Sequence, residues 1–221
     1  MIARLLEQRG LPIRALVRDP GNAKAVLGPG VEVVAGDITK QETLPRSIEG
    51  ASHIIFTAGC RSGHPAGETR IKATEYDGVL HTLAAAQRAG SAGRFMYMTS
   101  SGVATRSFVS ACLNLYKGNT LVWRRRAEDA IRESGLDYTI IRAGMLRNSG
   151  GGRRAIKLTQ KALPLSIRYR IARADVAEAF VAAVEHPRAS RATFEIVWAG
   201  SGRRESWSEL LQGLKPDGEL S

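Results

Sequence analysis

Cysteine is almost missing from this chain. Cys60 and Cys112 are the two in 221 residues, and neither stands in a C-x-x-C spacing. That excludes a disulfide framework and gives no zinc-site signature. Aromatic residues make up 6% of the chain, and the basic residues are not interleaved with them. With no helix-turn-helix, zinc-finger or RNA-recognition signature either, nucleic acid is not favoured as a partner. No apolar run approaches the roughly 18 residues of a membrane span, and the first residues lack the basic, apolar and small order of a signal peptide. The expectation is a cytoplasmic protein with no membrane span. Acid is also scarce: 21 acidic residues against 32 basic ones leave a formal charge of +11. The excess lies in the second half, in runs such as Arg124 to Arg126, Arg153-Arg154 and Arg203-Arg204. Such a field attracts anions, and a phosphorylated cofactor, an anionic substrate or an acidic protein partner would each answer to it. A solvated basic surface is the plain alternative.

What is present is an alternation of short apolar runs and amphipathic segments. Met1 to Arg9 places Ile2, Leu5 and Leu6 on one helical face, and Gly10 ends it. Ile13, Ala15, Leu16 and Val17 then read as a strand of a parallel sheet covered on both faces. Arg18 emerges where that strand ends. In a doubly wound α/β fold this is where the adenosine ribose lies, and an arginine there accommodates a 2′-phosphate. The plain alternative is a solvated arginine beside a turn.

The rest of the chain continues the pattern. A short helix around Asn22 to Leu27 leads into the strand Val31 to Ala35, after which Asp37 and Ile38 suit an adenine amino group and ring; a cap on the next helix, in "TKQETLPRSI", is the other reading of Asp37. The strand in Ala51 to Gly59 ends in Thr57, Ala58 and Gly59, small enough for a flat ligand to lie near the backbone. A polar loop, Gly63 to Thr69, precedes a long helix, Ile71 to Ala89, on which His81 reads as structural. Strand Arg94 to Met98 delivers Thr99, Ser100 and Ser101 to the ligand crevice or to a turn. Residues 102–119 are irregular and suggest a mobile loop over the site. A helix over Leu121 to Glu133, a strand over Asp137 to Arg142, a helix closed by Pro187, the strand Thr193 to Trp198 and a short helix over Trp207 to Leu214 follow. The glycine-rich stretch Asn148 to Arg154 suggests a division into residues 1–147, which bind nucleotide, and a small basic substrate or partner region, 148–221.

In order and spacing, "RALVRDP", "VVAGDIT", "TAG", "EYDG", "MTSSG", "RRAEDAIRESGLDYTIIRAG" and "RADVAEAF" resemble the atypical short-chain dehydrogenase/reductase proteins of the NmrA-like, NAD(P)-binding group. The resemblance implies a Rossmann-like, doubly wound parallel sheet and a dinucleotide cofactor, with NADP preferred over NAD. It implies contact by Arg18 with the 2′-phosphate, by Asp37 and Ile38 around the adenine, by Thr57, Ala58 and Gly59 along the ribose and phosphates, and by Thr99 near the nicotinamide ribose. Arg142, Ala143 and Gly144 match the group's Arg-Pro-Gly, with alanine for proline.

Two departures stand out. The group's opening strand and G-x-x-G-x-x-G turn have no counterpart before Ile2, so the sheet is expected to expose two long edges. Either the true start lies about 15 residues upstream, the length of a strand and a glycine-rich turn, or the chain is a degenerate paralogue. The Tyr-x-x-x-Lys pair is replaced as well: Thr120 stands at the tyrosine and Arg124 at the lysine. Threonine cannot pass a proton near neutral pH, whereas Arg124 can still hold ribose hydroxyls. Tyr116 and Lys117 lie four residues too early and replace them only if the loop folds back. The sequence therefore leaves turnover open between an NADPH-dependent oxidoreductase and a non-catalytic NADP(H)-binding redox sensor, scaffold or assembly factor. An anion-binding protein without cofactor ranks behind both.

Overall fold

Apolar runs too short for helices alternate with amphipathic segments, and they fold as parallel strands joined by helices. The computed structural model describes residues 1–60, 67–91 and 93–220. Helix α1 (Ile2–Gln8) leads to strand β1 (Ile13–Val17), helix α2 (Pro20–Leu27) and strand β2 (Val31–Ala35). A 3-10 turn and the short helix α3 (Pro45–Ile48) precede β3 (Ile54–Phe56). The expected helix in "TKQETLPRSI" is thus split in two, because Pro45 starts a helix of its own.

Helix α4 (Glu68–Lys72), a π-helical turn (Ala73–Asp77) and α5 (Gly78–Arg88) replace the uninterrupted helix expected over Ile71 to Ala89. Of the Gly63 to Thr69 loop, residues 63–66 lie outside the described residues. Strand β4 (Phe95–Ser100) follows. Where a loop was expected, residues 108–116 form helix α6 (Phe108–Tyr116), because the Ser107 hydroxyl accepts from the Ser110 amide and Ser110 answers the Ser107 amide. The remaining elements are α7 (Thr120–Glu133), β5 (Tyr138–Ala143), β6 (Met145–Arg147), β7 (Ile156–Thr159), β8 (Arg170–Ala172), α8 (Arg173–Ala183), β9 (Ala192–Trp198) and α9 (Trp207–Gln212).

The main sheet runs β3-β4-β5-β9-β7, parallel except for the antiparallel β7. Two of its strands therefore come from beyond residue 147. Strands β1 and β2 form a separate parallel pair, as do β6 and β8. Between β1 and β3 no ladder is formed. Yet Ile13 and Ile55 pack against one apolar cluster, while Leu16 and Ile54 pack against another. The core is thus shared while the hydrogen bonding is interrupted, and β1 is only half-buried rather than covered on both faces. Strands β1 and β3 each turn an unpaired edge towards the gap between them.

The main core joins α1, β5, α8, β9 and α9 through Leu6, Ile141, Phe180, Phe194 and Leu211. Buried Arg94 fastens it: Nε donates to Asp137 at 2.9 Å, and Nη1 donates to the Ala183 and His186 carbonyls at the end of α8. A cation there also answers the helix dipole. Among the described residues, no helix is long and apolar enough to cross a membrane, and no group of three metal-ligating side chains occurs.

Candidate functional site

Parallel strands release their chains at one end, and the candidate residues collect there. Arg18 follows β1 and Asp37 follows β2. Asp37 Oδ1 accepts from the Thr39 amide and hydroxyl, both at 2.9 Å. The Thr39 amide is the main force holding this carboxyl below its usual range, and the charges of Arg18 and Lys40 add to it. Arg18 and Asp37 therefore share one neighbourhood. Asp37 closes a local turn rather than capping a helix, since the following 3-10 turn begins at Gln41 with Lys40 as its N-cap.

Ile38 packs against Gly78 at the start of α5, where an added Cβ would lie 3.0 Å from its Cδ1. Its carbonyl is hydrogen-bonded to His81 Nδ1 at 3.0 Å, which makes His81 structural as expected. Beyond β3, Thr57, Ala58 and Gly59 are exposed, and a Cβ on Gly59 would lie 3.1 Å from Arg124 Nη2.

Arg124 is not alone there. Its Nη2 and Nε donate to Glu75 at 2.8 and 3.2 Å, Thr120 Oγ1 donates to the same carboxylate, and the Cys60 amide reaches it at 3.3 Å. Glu75 is 3% exposed. It sits on the π-helical turn, a distortion that often marks functional positions. Thr120 and Arg124 are thus gathered onto one buried carboxylate. Beneath them burial drives the Tyr97 phenol far above its usual range, against the nearby charge of Arg124, so it stays neutral. Sequence reasoning missed Glu75. The available signal was an acid spaced by four between Ile71 and Val79, both of which are buried.

A second polar row crosses the sheet under α7, since Thr99 pairs with Arg142 and Arg142 with Glu195. Arg142 Nε and Nη2 donate to Glu128 of α7 at 3.0 and 2.5 Å, and Nη1 lies 3.9 Å from Glu195. Burial pushes the Glu195 carboxyl up, opposed by the Ser101 hydroxyl, the Leu163 amide and Arg142. Thr99 Oγ1, Ser101 Oγ and Glu195 Oε2 are buried without a hydrogen bond of ordinary geometry. Ala143 and Gly144 are buried too, and a Cβ on Gly144 would come within 2.7 Å of the Tyr169 carbonyl. Arg142, Ala143 and Gly144 therefore form the floor of this end of the sheet.

Arg18 lies near enough to Asp37 for its charge to act there, Ile38 packs against Gly78, and Glu75 reaches Gly59 through Arg124. The exposed backbone at Thr57 to Gly59, the close approach at Gly59 and the unpartnered Thr99 hydroxyl fit a flat, polyhydroxylated cofactor. A concavity elsewhere, lined by Gln41, Glu49, Ala85 and Arg88, lies at the far end of α5.

Comparison with known proteins agrees with this geometry. A family model described as NAD(P)H-binding matches residues 1–187. Sanguinarine reductase of Eschscholzia californica is 30% identical over 218 residues, covering 83% of this chain and 78% of that protein. Among solved structures, a putative NAD-dependent epimerase/dehydratase from Bacillus halodurans has a TM-score of 0.78 at 22% identity, covering 96% of this chain and 92% of that one. A short-chain dehydrogenase/reductase from Veillonella parvula, solved in complex with NADP, has a TM-score of 0.67 at 16% identity over 93% and 92% of the two chains. At these identities the solved structures establish the shared fold.

Proposed function

The chain belongs to the NAD(P)H-binding family, as an oxidoreductase-like protein of the atypical short-chain dehydrogenase/reductase type, and from that premise we propose that it is an NADPH-dependent reductase. The observation that carries the cofactor reading is the grouping of Arg18 with Asp37 beyond two neighbouring parallel strands. Arg18 takes the 2′-phosphate, which sets NADP ahead of NAD. Asp37 and Ile38 border the adenine, and the backbone of Thr57, Ala58 and Gly59 follows the ribose and phosphates. Thr99 offers its unpartnered hydroxyl to the nicotinamide ribose. Arg124, held by Glu75, offers its guanidinium to ribose hydroxyls beside Gly59, while Arg142, Ala143 and Gly144 support the site from below.

When bound, the cofactor supplies a hydride. The protein orients it and needs a proton source other than Thr120, whose hydroxyl is committed to Glu75; water or Tyr116 fills that part. Open strand ends serve a sensor or scaffold equally; the reductase reading is preferred because a relative 30% identical over most of the chain is a reductase. The division at residue 147 is one of function: residues 148–221 supply the substrate or partner side, where the basic surface suits an anionic substrate or an acidic protein. Two thiols outside any disulfide, Cys60 and Cys112, suit a reducing compartment such as the cytoplasm.

Titration of the fluorescence of NADPH and NADH tests the cofactor assignment. Arg18→Ala is expected to weaken NADPH by about 1–3 kcal/mol, the worth of a charge-assisted contact, and to leave NADH nearly unchanged. Equal loss for both would remove the 2′-phosphate role.

A further inference from the structure

Helix α6 is built with its apolar side outward. Phe108, Val109, Leu115 and Tyr116 are 84%, 52%, 89% and 49% exposed, and Cys112 is exposed with them. These residues recur at i, i+1, i+4, i+7 and i+8, which is one face of a helix. No charged residue lies between Ser107 and Tyr116. Contacts that hold the helix among the described residues include the Ser107–Ser110 capping box and Asn114, whose side chain accepts from the Leu121 amide at 2.9 Å. A surface helix normally has the reverse arrangement.

Cations frame this stripe. Arg106 precedes the helix and Lys117 follows it, while Arg125 and Arg126 are exposed on α7, which packs beside it. We propose that α6 seats the protein on an anionic lipid surface. Phe108, Val109 and Leu115 enter the boundary between headgroups and acyl chains, and Arg106, Lys117 and Arg126 meet the headgroup phosphates. Interfacial binding of this kind grows with the apolar area buried and with the attraction of basic residues to anionic lipid.

Charge and area favour lipid over a second copy. Two chains of +11 repel each other. A helix about 14 Å long and about 10 Å wide also offers only a fraction of the ~800 Å² per partner of a stable protein pair. Because α6 joins the end of β4 to the start of α7, a docked helix holds the candidate crevice beside the lipid. The cofactor assignment is not needed for this proposal.

Co-sedimentation of the full chain with vesicles tests it. Binding is expected to vesicles of equimolar phosphatidylcholine and phosphatidylglycerol, to fall as salt is raised, and to be absent with phosphatidylcholine alone. The double variant Phe108→Ser/Leu115→Ser is expected to bind roughly tenfold more weakly while keeping the circular dichroism and melting temperature of the parent. Failure of the parent to sediment with anionic vesicles would overturn the proposal. So would equal sedimentation of parent and variant, which would assign the attraction to the basic surface at large. A parent that light scattering finds dimeric and the variant makes monomeric would assign the stripe to a second copy. Binding to poly-glutamate without binding to vesicles would assign it to an acidic protein.

Discussion

At the scale of single residues, buried carboxylates organise the candidate site. Glu75 neutralises Arg124 and satisfies Thr120, so removing it leaves a largely buried cation without its partner. Glu75→Ala is expected to cost about 3 kcal/mol in urea unfolding; a loss below about 1 kcal/mol would mean that solvent replaces the pair. Glu195 behaves oppositely. Its carboxyl is raised by burial, so the folded state holds the proton more tightly than the unfolded one. The resulting stability is fully present below the unfolded value and is lost as pH rises through the folded value. Glu195→Gln is therefore expected to gain stability relative to the parent as pH is raised from about 4 towards 7. A constant difference between the two proteins across that range would contradict it. The strand-end residues were legible because their meaning depends on place along the chain. Glu75 and Glu128 were not, because their partners lie 49 and 14 residues away.

At the scale of elements, the short strands were readable wherever an apolar run was flanked by glycine or proline, as in β1 and β2. The helix α6 was not, since its outward apolar stripe gives no amphipathic signal for a core and its capping box is two serines. The π-helical turn also escaped notice, because one extra residue in a helix leaves little mark on the hydrophobic pattern. The split of the sheet has a measurable consequence. Strand β1 bonds only to β2 and β3 only to β4, so each keeps one edge of unpaired backbone groups. Amide exchange is expected to be fastest along β1 and β2 and slowest in β4 and β5, which are paired on both sides. Equal protection in β1 and β5 would show that the gap between β1 and β3 is closed in solution.

At the scale of the whole molecule, one core crosses the proposed boundary at residue 147. Leu6, Ile141, Phe194 and Leu211 belong to a single cluster, and Asp217 near the end of the chain accepts from Thr193, Arg132 and Tyr138. The folding unit therefore includes residues 148–221, whatever their separate function. Thermal melts followed by far-ultraviolet circular dichroism and by tryptophan fluorescence are expected to coincide, since Trp123 lies on one side of the boundary and Trp198 and Trp207 on the other. Two separated transitions would make the second region an independent domain.

The sequence by itself determined the alternating α/β class and the location of the strand ends. Those features rest on local pattern: hydrophobic period, punctuation by glycine and proline, and residue type at a strand terminus. Only the tertiary structure decided that the sheet is interrupted between β1 and β3, that Thr120 and Arg124 converge on Glu75, and that α6 turns its apolar side to solvent. Each of these depends on which distant segments meet, and a pairing across tens of residues is set by the packing of the whole core rather than by any stretch of the chain.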